Sequence, residues 1–240
     1  MYMKTFFKTH SKTILLGIYA GMAIGLGGFL NILSNTYLAY PPIMGRIIGS
    51  LLFPIGLTLV CFFGLNLFTG KIGYVFDYNK NYVGFLGLVY VGNIIGSLIM
   101  GGWCLVVFKN AEDIYQTALN ISAGKMVLLE PSFWTLIKVF AGAVLCGVLV
   151  YIAIFCYKTF KQVWLKVIGI FVSIGLFVFL KFDHCIANMF YFTFSWSWGN
   201  GLSYLNIAVV TLGNSLGAIA LNEGIKAFKK MVNKNEQNSA

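Results

Sequence analysis

The sequence predicts an all-α integral membrane protein with six transmembrane helices, and three observations support this fold class. Of its 240 residues, 59% are hydrophobic and only 10% are charged, a composition unsuited to a water-soluble domain of this size. Apolar runs long enough to cross the hydrocarbon core, which takes roughly 20 helical residues, recur along the chain. The two halves of the chain also share short motifs. The predicted spans cover 13–33, 43–65, 83–108, 133–157, 163–180 and 203–225.

The net charge of +10 reflects topology signals better than a nucleic-acid surface, because the basic residues cluster between apolar runs. The main clusters comprise Lys4, Lys8, Lys12, Lys80, Lys158, Lys161, Lys166, Lys226, Lys229, Lys230 and Lys234. They lie before the first span, in alternate connections and after the last span, which places both termini in the cytoplasm under the positive-inside rule. We therefore expect a multi-pass protein of the plasma (inner) membrane, surrounded by the lipid bilayer and without a nucleic-acid partner.

The five cysteines predict neither a disulfide framework nor a metal centre, because their number is odd and no CxxC pair occurs. In apolar runs, cysteine acts as a small apolar residue. The first run begins near Thr13 and is too long for the core of a signal peptide, so it remains as a helix. We expect one transmembrane transporter domain over 1–240 and no cofactor.

Two apolar segments, 66–76 and 182–194, are too short to span a membrane, and each directly follows a predicted span. They are interpreted as the second halves of broken second and fifth helices, with breaks at Thr69 and His184. Irregular backbone at membrane depth must be buried in protein or face a cavity, since an unpaired amide in lipid costs several kcal/mol. Half-helices that begin there direct N–H groups and a positive dipole end at the cavity, which favours an anion.

Three pairs of motifs recur between the halves at an offset of 121 or 122 residues. These pairs are Ala20-Gly21 with Ala141-Gly142, Asn66-x-Phe68 with Asn188-x-Phe190, and Gly92-Asn93-x-x-Gly96 with Gly213-Asn214-x-x-Gly217. Each copy, about 13–108 and about 133–228, holds three spans, and an odd number predicts that the copies cross the membrane in opposite directions. In transporters built this way, the solute binds near the midplane, where the broken helices meet.

Small residues recur at a spacing of four, a pattern that lets helices approach closely. These faces are Gly21-x-x-x-Gly25, Gly92-x-x-x-Gly96 and Gly213-x-x-x-Gly217. They predict close packing within the chain or, as the alternative, between subunits.

His184 is the candidate for the central site, because it lies in an apolar region at a helix break and beside Asp183. An ionisable residue inside a membrane segment is by default a functional-site hypothesis, and a hydrogen-bonded packing histidine is the alternative. With an ordinary imidazole pKa of about 6.5, it would protonate a weak-acid anion so that a neutral species crosses the apolar barriers. We expect Lys181 to reach toward water or to pair with Asp183 across the break.

Three segments resemble signatures of the formate/nitrite transporter family, whose members include formate, nitrite and hydrosulfide channels and lactate transporters. Segment 61–70 ends in Leu-Phe-Thr-Gly, like the first signature of the family. Segment 182–190, which reads Phe-Asp-His-Cys-Ile-Ala-Asn-Met-Phe, is similar to the motif Phe-Glu-His-Ser-x-Ala-Asn-Met. Segment 143–150 is similar to the fourth-helix signature. The resemblance covers essentially the whole chain.

The resemblance implies an aquaporin-like fold and a homopentamer with a pore in each subunit, which carries a small anionic substrate with protons. It also implies a central His and Thr between two apolar constrictions. The predicted pore centre comprises His184, Thr69, Asp183 and Asn188. The predicted constrictions comprise Phe53 and Phe177 on the outer side, and Leu57, Leu67 and Phe68 on the inner side. Lys125 matches a vestibule lysine of the family and, with Lys181, is a candidate for anion attraction.

Three positions depart from the usual residues of the family. The chain has Asn66 where the family usually has an acid, Gly147 where it has an asparagine, and Lys181 where it has a glycine. These changes remove an acid and an amide and add a cation beside the predicted histidine. They bear on the substrate and leave the predicted fold unchanged.

The favoured function is a transmembrane channel or proton-coupled transporter for small monovalent anions or their weak acids, such as formate, nitrite or hydrosulfide. An aquaporin-like pore for small neutral solutes is the alternative, although the sequence contains no Asn-Pro-Ala pair. A membrane enzyme that uses His184 with Asp183 or Cys185 is less favoured, because the side chains of adjacent residues diverge on any regular element. We therefore predict no enzymatic activity.

Overall fold

The computed structural model describes residues 2–126 and 132–239, with side chains described for 10–126 and 132–235. The side chains of Lys4 and Lys8, which entered the topology prediction, lie outside the described residues. In the described ranges, the secondary structure is helical. The helices are α1 (Tyr2–Tyr37), α2 (Pro42–Leu52), α3 (Pro54–Phe62), α4 (Phe68–Lys71), α5 (Asn81–Phe108), α6 (Glu112–Lys125), α7 (Phe133–Thr159), α8 (Val163–Phe179), α9 (Cys185–Phe194) and α10 (Gly201–Ser239).

Five helical segments are long and apolar enough to cross a membrane. They are His10–Tyr37, Pro42–Phe62, Asn81–Phe108, Phe133–Thr159 and Gly201–Asn235. Helix α8 occupies the predicted fifth span but has 17 residues, fewer than the roughly 20 that cross the hydrocarbon core. Helix α9 is shorter still, with 10 residues. The protein is therefore a helical multi-pass membrane protein with five long helices and two shorter apolar ones in its described part.

The long helices form two close pairs, α1 with α5 and α7 with α10. A Cβ atom added at Gly96 would lie 2.0 Å from the carbonyl oxygen of Ile18, and one at Gly217 would lie 2.0 Å from that of Val144. Real atoms do not approach so closely, so each glycine is required by backbone contact between its two helices. The predicted small-residue faces thus pack within the chain, and the alternative of a subunit contact at these glycines is wrong.

Two stretches of non-helical backbone interrupt the bundle. Helix α3 ends at Phe62 and α4 begins at Phe68, while α8 ends at Phe179 and α9 begins at Cys185. Residues 63–67 and 180–184 therefore supply peptide groups that helical hydrogen bonds do not satisfy. Such groups require other partners when they are buried.

Asn93 on α5 satisfies the first of these stretches. Its side-chain Oδ1 accepts a hydrogen bond from the N–H of Phe68 at 2.8 Å. Its Nδ2 donates to the carbonyl oxygens of Asn66 and Gly17, both at 2.8 Å. Because Asn93 is completely buried, these bonds form without competition from water. One amide therefore ties the start of α4 to α1.

Asn214 on α10 does the same at the second stretch. Its Oδ1 accepts from the N–H of Cys185 at 3.0 Å. Its Nδ2 donates to the carbonyl oxygens of Asp183 at 2.9 Å and Ala143 at 2.8 Å. Asn214 is also completely buried. The start of α9 is thereby held against α7 and α10.

We predict that Gly96→Ala destabilises the protein by about 1–3 kcal/mol, because the added methyl group forces α1 and α5 apart. Thermal unfolding in mild detergent measures the effect. Gly87→Ala on the same helix is the matched control, since a Cβ at Gly87 has no atom within 4 Å. It is expected to leave stability unchanged or slightly raised. Equal unfolding temperatures for the two variants would contradict the packing described for α1 and α5.

Candidate functional site

A cavity of about 580 Å³, here called the vestibule, lies between α2, α6, α8 and α9. Its polar and aromatic lining residues include Asn31, Asn35, Arg46, Phe53, Asn120, Lys125, Phe177, Lys181, Asp183, His184, Asn188 and Tyr191. Asn120 and Lys181 are exposed, so the vestibule is continuous with solvent. His184 is buried, so the cavity leads from a polar rim to an enclosed centre.

Two phenylalanines close the inner end of the vestibule. The rings of Phe53 and Phe177 meet edge to face, with centroids 5.7 Å apart, and both are nearly completely buried. Beyond them lies a void of about 10 Å³, which is lined by Leu57, Leu67 and other apolar residues and by His184. A void of this size holds about one water molecule. The aromatic pair therefore separates the vestibule from a small and almost entirely apolar space.

Phe68 takes no part in the lining of either cavity, although the sequence grouped it with the inner constriction. Its ring packs against Tyr90 of α5, with centroids 4.8 Å apart. Leu57 and Leu67 line the small void, and Phe68 lies in a neighbouring apolar cluster.

Thr69 and His184 lie in direct contact, although 115 residues separate them in the sequence. The Oγ1 of Thr69 is 2.8 Å from the Nε2 of His184, and both side chains are buried. The other ring nitrogen, Nδ1, accepts a hydrogen bond from the backbone N–H of Ala187 at 3.2 Å. His184 therefore caps the N-terminus of α9 and contacts the first turn of α4 at once.

These hydrogen bonds define the tautomer of the neutral histidine. The backbone N–H of Ala187 can only donate, so Nδ1 is an acceptor and the ring proton is on Nε2. The Nε2–H then donates to the hydroxyl oxygen of Thr69, which leaves the hydroxyl proton of Thr69 available for a third group. The hydroxyl of Thr69 is buried at the helix break, and Thr69 itself lines neither the vestibule nor the small void.

An ion pair joins the vestibule wall to the helix break before α9. The Nζ of Lys125 is 2.9 Å from the Oδ1 of Asp183, and both side chains are largely shielded from solvent. The expected pairing of Lys181 with Asp183 is wrong, because α6 brings Lys125 to this carboxylate from 58 residues away. Lys181 is exposed at the rim of the vestibule instead.

Asn188 extends this polar network into the protein. Its Nδ2 donates to Asp183 Oδ1 at 2.9 Å and to Asn206 Oδ1 at 2.8 Å. The Nδ2 of Asn206 donates in turn to the carbonyl oxygen of Lys125 at 2.8 Å. The Oδ1 of Asn188 is buried without a hydrogen-bond partner among the described residues. It is an unsatisfied acceptor on a residue that lines the vestibule.

Several residues that shape this site were not predicted from the sequence. Asn93 and Asn214 could have been found from their shared position in the Gly-Asn-x-x-Gly repeat. No sequence motif around Arg46 predicted a role for it at this site. Its Nε donates to the carbonyl oxygen of Phe179 at 2.6 Å, and its guanidinium lies 4.6 Å above the Phe179 ring. Arg46 thereby holds α2 against the end of α8 at the vestibule.

The structure explains two of the three residues that depart from the usual residues of the family, Gly147 and Asn66. A Cβ at Gly147 would lie 2.1 Å from the carbonyl oxygen of Asn214, so no asparagine fits at position 147 in this packing of α7 against α10. Asn66 donates through Nδ2 to the carbonyl oxygen of Thr13 at 3.4 Å, and its own carbonyl accepts from Asn93. Both residues therefore support the helix breaks and line neither cavity.

The geometry gives His184, Asp183 and Cys185 no shared hydrogen bond within the described chain. The ring nitrogens of His184 contact Thr69 and Ala187, and Asp183 bonds to Lys125 and Asn188 through Oδ1. A nucleophile and a base must lie within hydrogen-bond reach of each other. In the described chain, the hydrogen bonds of His184 and Asp183 therefore go to other residues.

Comparison with known proteins identifies the group to which the chain belongs. The formate/nitrite transporter model matches residues 2–228. The chain is 29% identical to a probable formate transporter of Methanothermobacter thermautotrophicus, over 86% of this chain and 84% of the relative. It is 30% identical to the uncharacterized transporter YrhG of Bacillus subtilis, over 85% of this chain and 79% of that protein.

Solved structures agree with this result. The fold is similar to that of a pentameric formate channel with formate bound, with a TM-score of 0.78 and 25% sequence identity. That similarity covers 94% of this chain and 98% of the channel. The chain therefore belongs to the formate/nitrite transporter family, and it is a channel or transporter for small anions.

Proposed function

We propose that this protein moves formate, nitrite or hydrosulfide across the membrane, with the weak acid as the species that crosses the apolar barrier. The observation that carries the proposal is the Thr69–His184 pair, enclosed beside an aromatic constriction at the inner end of a charged vestibule. The pentameric formate channel with formate bound supports formate as a substrate and a homopentamer as the assembly. Each subunit then contains its own pore.

The proposed architecture is six transmembrane segments in two inverted repeats, with the second and fifth helices broken. Equivalent hydrogen bonds support it, because Asn93 and Asn214 each accept from the first N–H of a half-helix and donate to a carbonyl in the break. The two carbonyls belong to Asn66 and Asp183, which are 117 residues apart. The offset between the two halves is therefore shorter at the breaks than the 121 residues that separate Asn93 from Asn214. This correspondence replaces the match of Asn66 with Asn188.

The proposed orientation has both termini in the cytoplasm of a cell with the protein in its plasma (inner) membrane. It rests on the distribution of lysines, which are concentrated at the chain ends and in alternate connections. In this orientation, the vestibule faces outward.

The vestibule attracts anions through its excess of positive charge. Among the described residues, Arg46, Lys125 and Lys181 line it together with one acid, Asp183. Walls of low dielectric focus the field of such groups and raise the local concentration of ions of opposite sign. Small monovalent anions are therefore enriched before they reach the constriction.

An anion cannot pass between Phe53 and Phe177 cheaply, because a charge loses its hydration there without gaining a partner. The neutral acid avoids most of this cost. The Oδ1 of Asn188, a vestibule residue without a hydrogen-bond partner for this atom among the described residues, accepts from the acidic O–H of the solute. This acceptor supports a pore that binds the neutral acid before it crosses the constriction.

In the proposed mechanism, His184 transfers a proton to the anion that arrives beside it. A second proton on His184 would occupy Nδ1. The Nδ1–H and the backbone N–H of Ala187 would then both be donors facing each other, and their hydrogen bond would be lost. The neutral ring is therefore the resting form. In the proposed cycle, the ring takes a proton from vestibule water only when an anion beside it supplies the compensating charge. The proton then passes to the anion, and the neutral ring re-forms.

The first test is solute flux into liposomes that contain the wild-type protein. Formate, nitrite and hydrosulfide are expected to enter faster than into protein-free liposomes, and faster still as external pH falls and the acid forms increase. Stopped-flow recording of a trapped pH-sensitive dye measures the rates, with lactate as a larger carboxylate. Glycerol is the neutral control and is expected to show no added flux. Glycerol entry without anion entry would favour the neutral-solute pore.

The second test separates the chemistry of His184 from its role as a helix cap. His184→Asn keeps a side-chain oxygen for the Ala187 N–H but cannot titrate, whereas His184→Phe loses both properties. Both variants are expected to lose the His184-dependent part of the pH profile of flux between about pH 5 and 8. His184→Phe alone should be destabilised, by about 1 kcal/mol, in thermal unfolding.

If His184→Asn and His184→Phe both showed wild-type flux at each pH, the proton-delivery mechanism would be wrong. His184 would then be a packing and capping residue. The stability difference between the asparagine and phenylalanine variants checks the cap independently of any transport.

A further inference from the structure

The end of α8 carries a lysine where the backbone geometry favours glycine. Lys181 has a φ of 59°, in the left-handed region. The N–H of Phe182 donates to the carbonyl of Phe177 at 2.9 Å, and the N–H of Lys181 donates to that of Val178 at 3.0 Å. These bonds form a Schellman C-cap with Lys181 at its left-handed position. Glycine predominates there because the Cβ of other residues crowds the backbone.

The chain itself has glycine at the matching place in its other helix break. Gly64 has a φ of 62°, and it follows α3 as Lys181 follows α8. The N–H of Leu65 donates to Val60 at 2.9 Å, and that of Gly64 donates to Cys61 at 3.3 Å. A Cβ at Gly64 would meet no atom within 4 Å, so the backbone angle, rather than crowding by neighbours, favours glycine. Lys181 is thus a costly choice, and such outliers point to function.

The positive charge of Lys181 is not paired with an acid among the described residues. Lys125 is paired with Asp183, and Arg46 donates through Nε to the carbonyl of Phe179 at the end of α8. Lys181 is exposed, lines the vestibule, and makes no ion pair or side-chain hydrogen bond with the described residues. It is therefore available to an ion arriving from solution.

We propose that Lys181 is a selectivity-determining residue that concentrates monovalent anions at the rim of the vestibule, ahead of the Lys125–Asp183 pair. The identity of those anions rests on the proposed function. An exposed, uncompensated cation acts on encounter and is screened by salt, with a Debye length of about 10 Å at 0.1 M. The charge of Lys181 should therefore lower the apparent KM for anion flux at low ionic strength. It should not change the pH profile, which is assigned to His184.

A chemical probe of the vestibule tests this charge without transport. Asn120→Cys places a thiol on an exposed lining residue, and the rates of its modification by an anionic and a cationic methanethiosulfonate reagent are compared. Adding Lys181→Gln, which keeps a side chain unfavourable in the left-handed region, is expected to lower the anionic-to-cationic rate ratio severalfold at low salt. The difference should shrink near 1 M salt, where the Debye length is about 3 Å. Lys181→Arg should retain the ratio.

Two controls isolate the position of the charge. Lys138→Gln removes an exposed lysine that does not line the vestibule, and it should leave the ratio unchanged. The protein without Asn120→Cys gives the background from native cysteines, four of which are buried. An unchanged ratio in Lys181→Gln at low salt would overturn the proposal.

Flux and stability complete the test. Lys181→Gly should unfold at a higher temperature than Lys181→Gln, because glycine adopts the left-handed backbone freely. Both variants should raise the apparent KM for anion flux severalfold at low ionic strength, with the maximal rate and the pH profile unchanged. If wild-type liposomes carry none of the three anions while the reagent ratio still depends on Lys181, the proposed function fails and the anion-concentrating role stands. A wild-type KM in Lys181→Gln would refute that role.

Discussion

The satisfaction of buried peptide groups is the constraint on which this structure depends. A helix that stops inside a membrane exposes N–H and carbonyl groups that lipid cannot bond. The chain breaks two helices and places one completely buried asparagine beside each break. Asn93 and Asn214 each supply one acceptor and two donors to the backbone. With these bonds in place, the starts of α4 and α9 are held in the protein interior, and Thr69 reaches His184.

The site derives its character from the same helix ends. His184 is both the N-cap of α9 and the partner of Thr69, so its hydrogen bonds define a neutral ring in a buried place. The aromatic pair and the small void beyond it are almost entirely apolar, while the vestibule on the other side of the pair is lined by Arg46, Lys125 and Lys181. In the proposed mechanism, a weak acid is suited to both environments, because it enters the vestibule as an anion and crosses the constriction as a neutral molecule.

Features that depend on local hydropathy and segment length were predictable from the sequence alone. Hydropathy predicted the long helices, and two segments too short to span predicted the breaks near Thr69 and His184. Features that depend on tertiary packing were not. The pairing of Lys125 with Asp183 depends on where α6 lies, and the position of Phe68 depends on its contact with Tyr90 of α5.

The glycine motifs show the same limit. Their spacing predicted close packing but could not identify the partner, and the structure assigns these contacts to helix pairs within the chain. The backbone angle of Lys181 was equally invisible, because a Schellman motif is recognised in sequence by its glycine. A residue that breaks a local rule is therefore found only when the backbone is seen.

The most direct measurement of the central claim is anion flux in Asn214→Leu, compared with Asn222→Leu on the same helix. Asn214→Leu removes the partner of two backbone groups at the second break, the N–H of Cys185 and the carbonyl of Asp183, at about 1–3 kcal/mol for each buried group. Asn222→Leu removes a buried amide that bonds to Tyr151 and Asp77, away from both breaks. The account predicts that Asn214→Leu inserts into the membrane but loses flux of formate, nitrite and hydrosulfide, while Asn222→Leu retains it. Wild-type flux in Asn214→Leu would contradict the account.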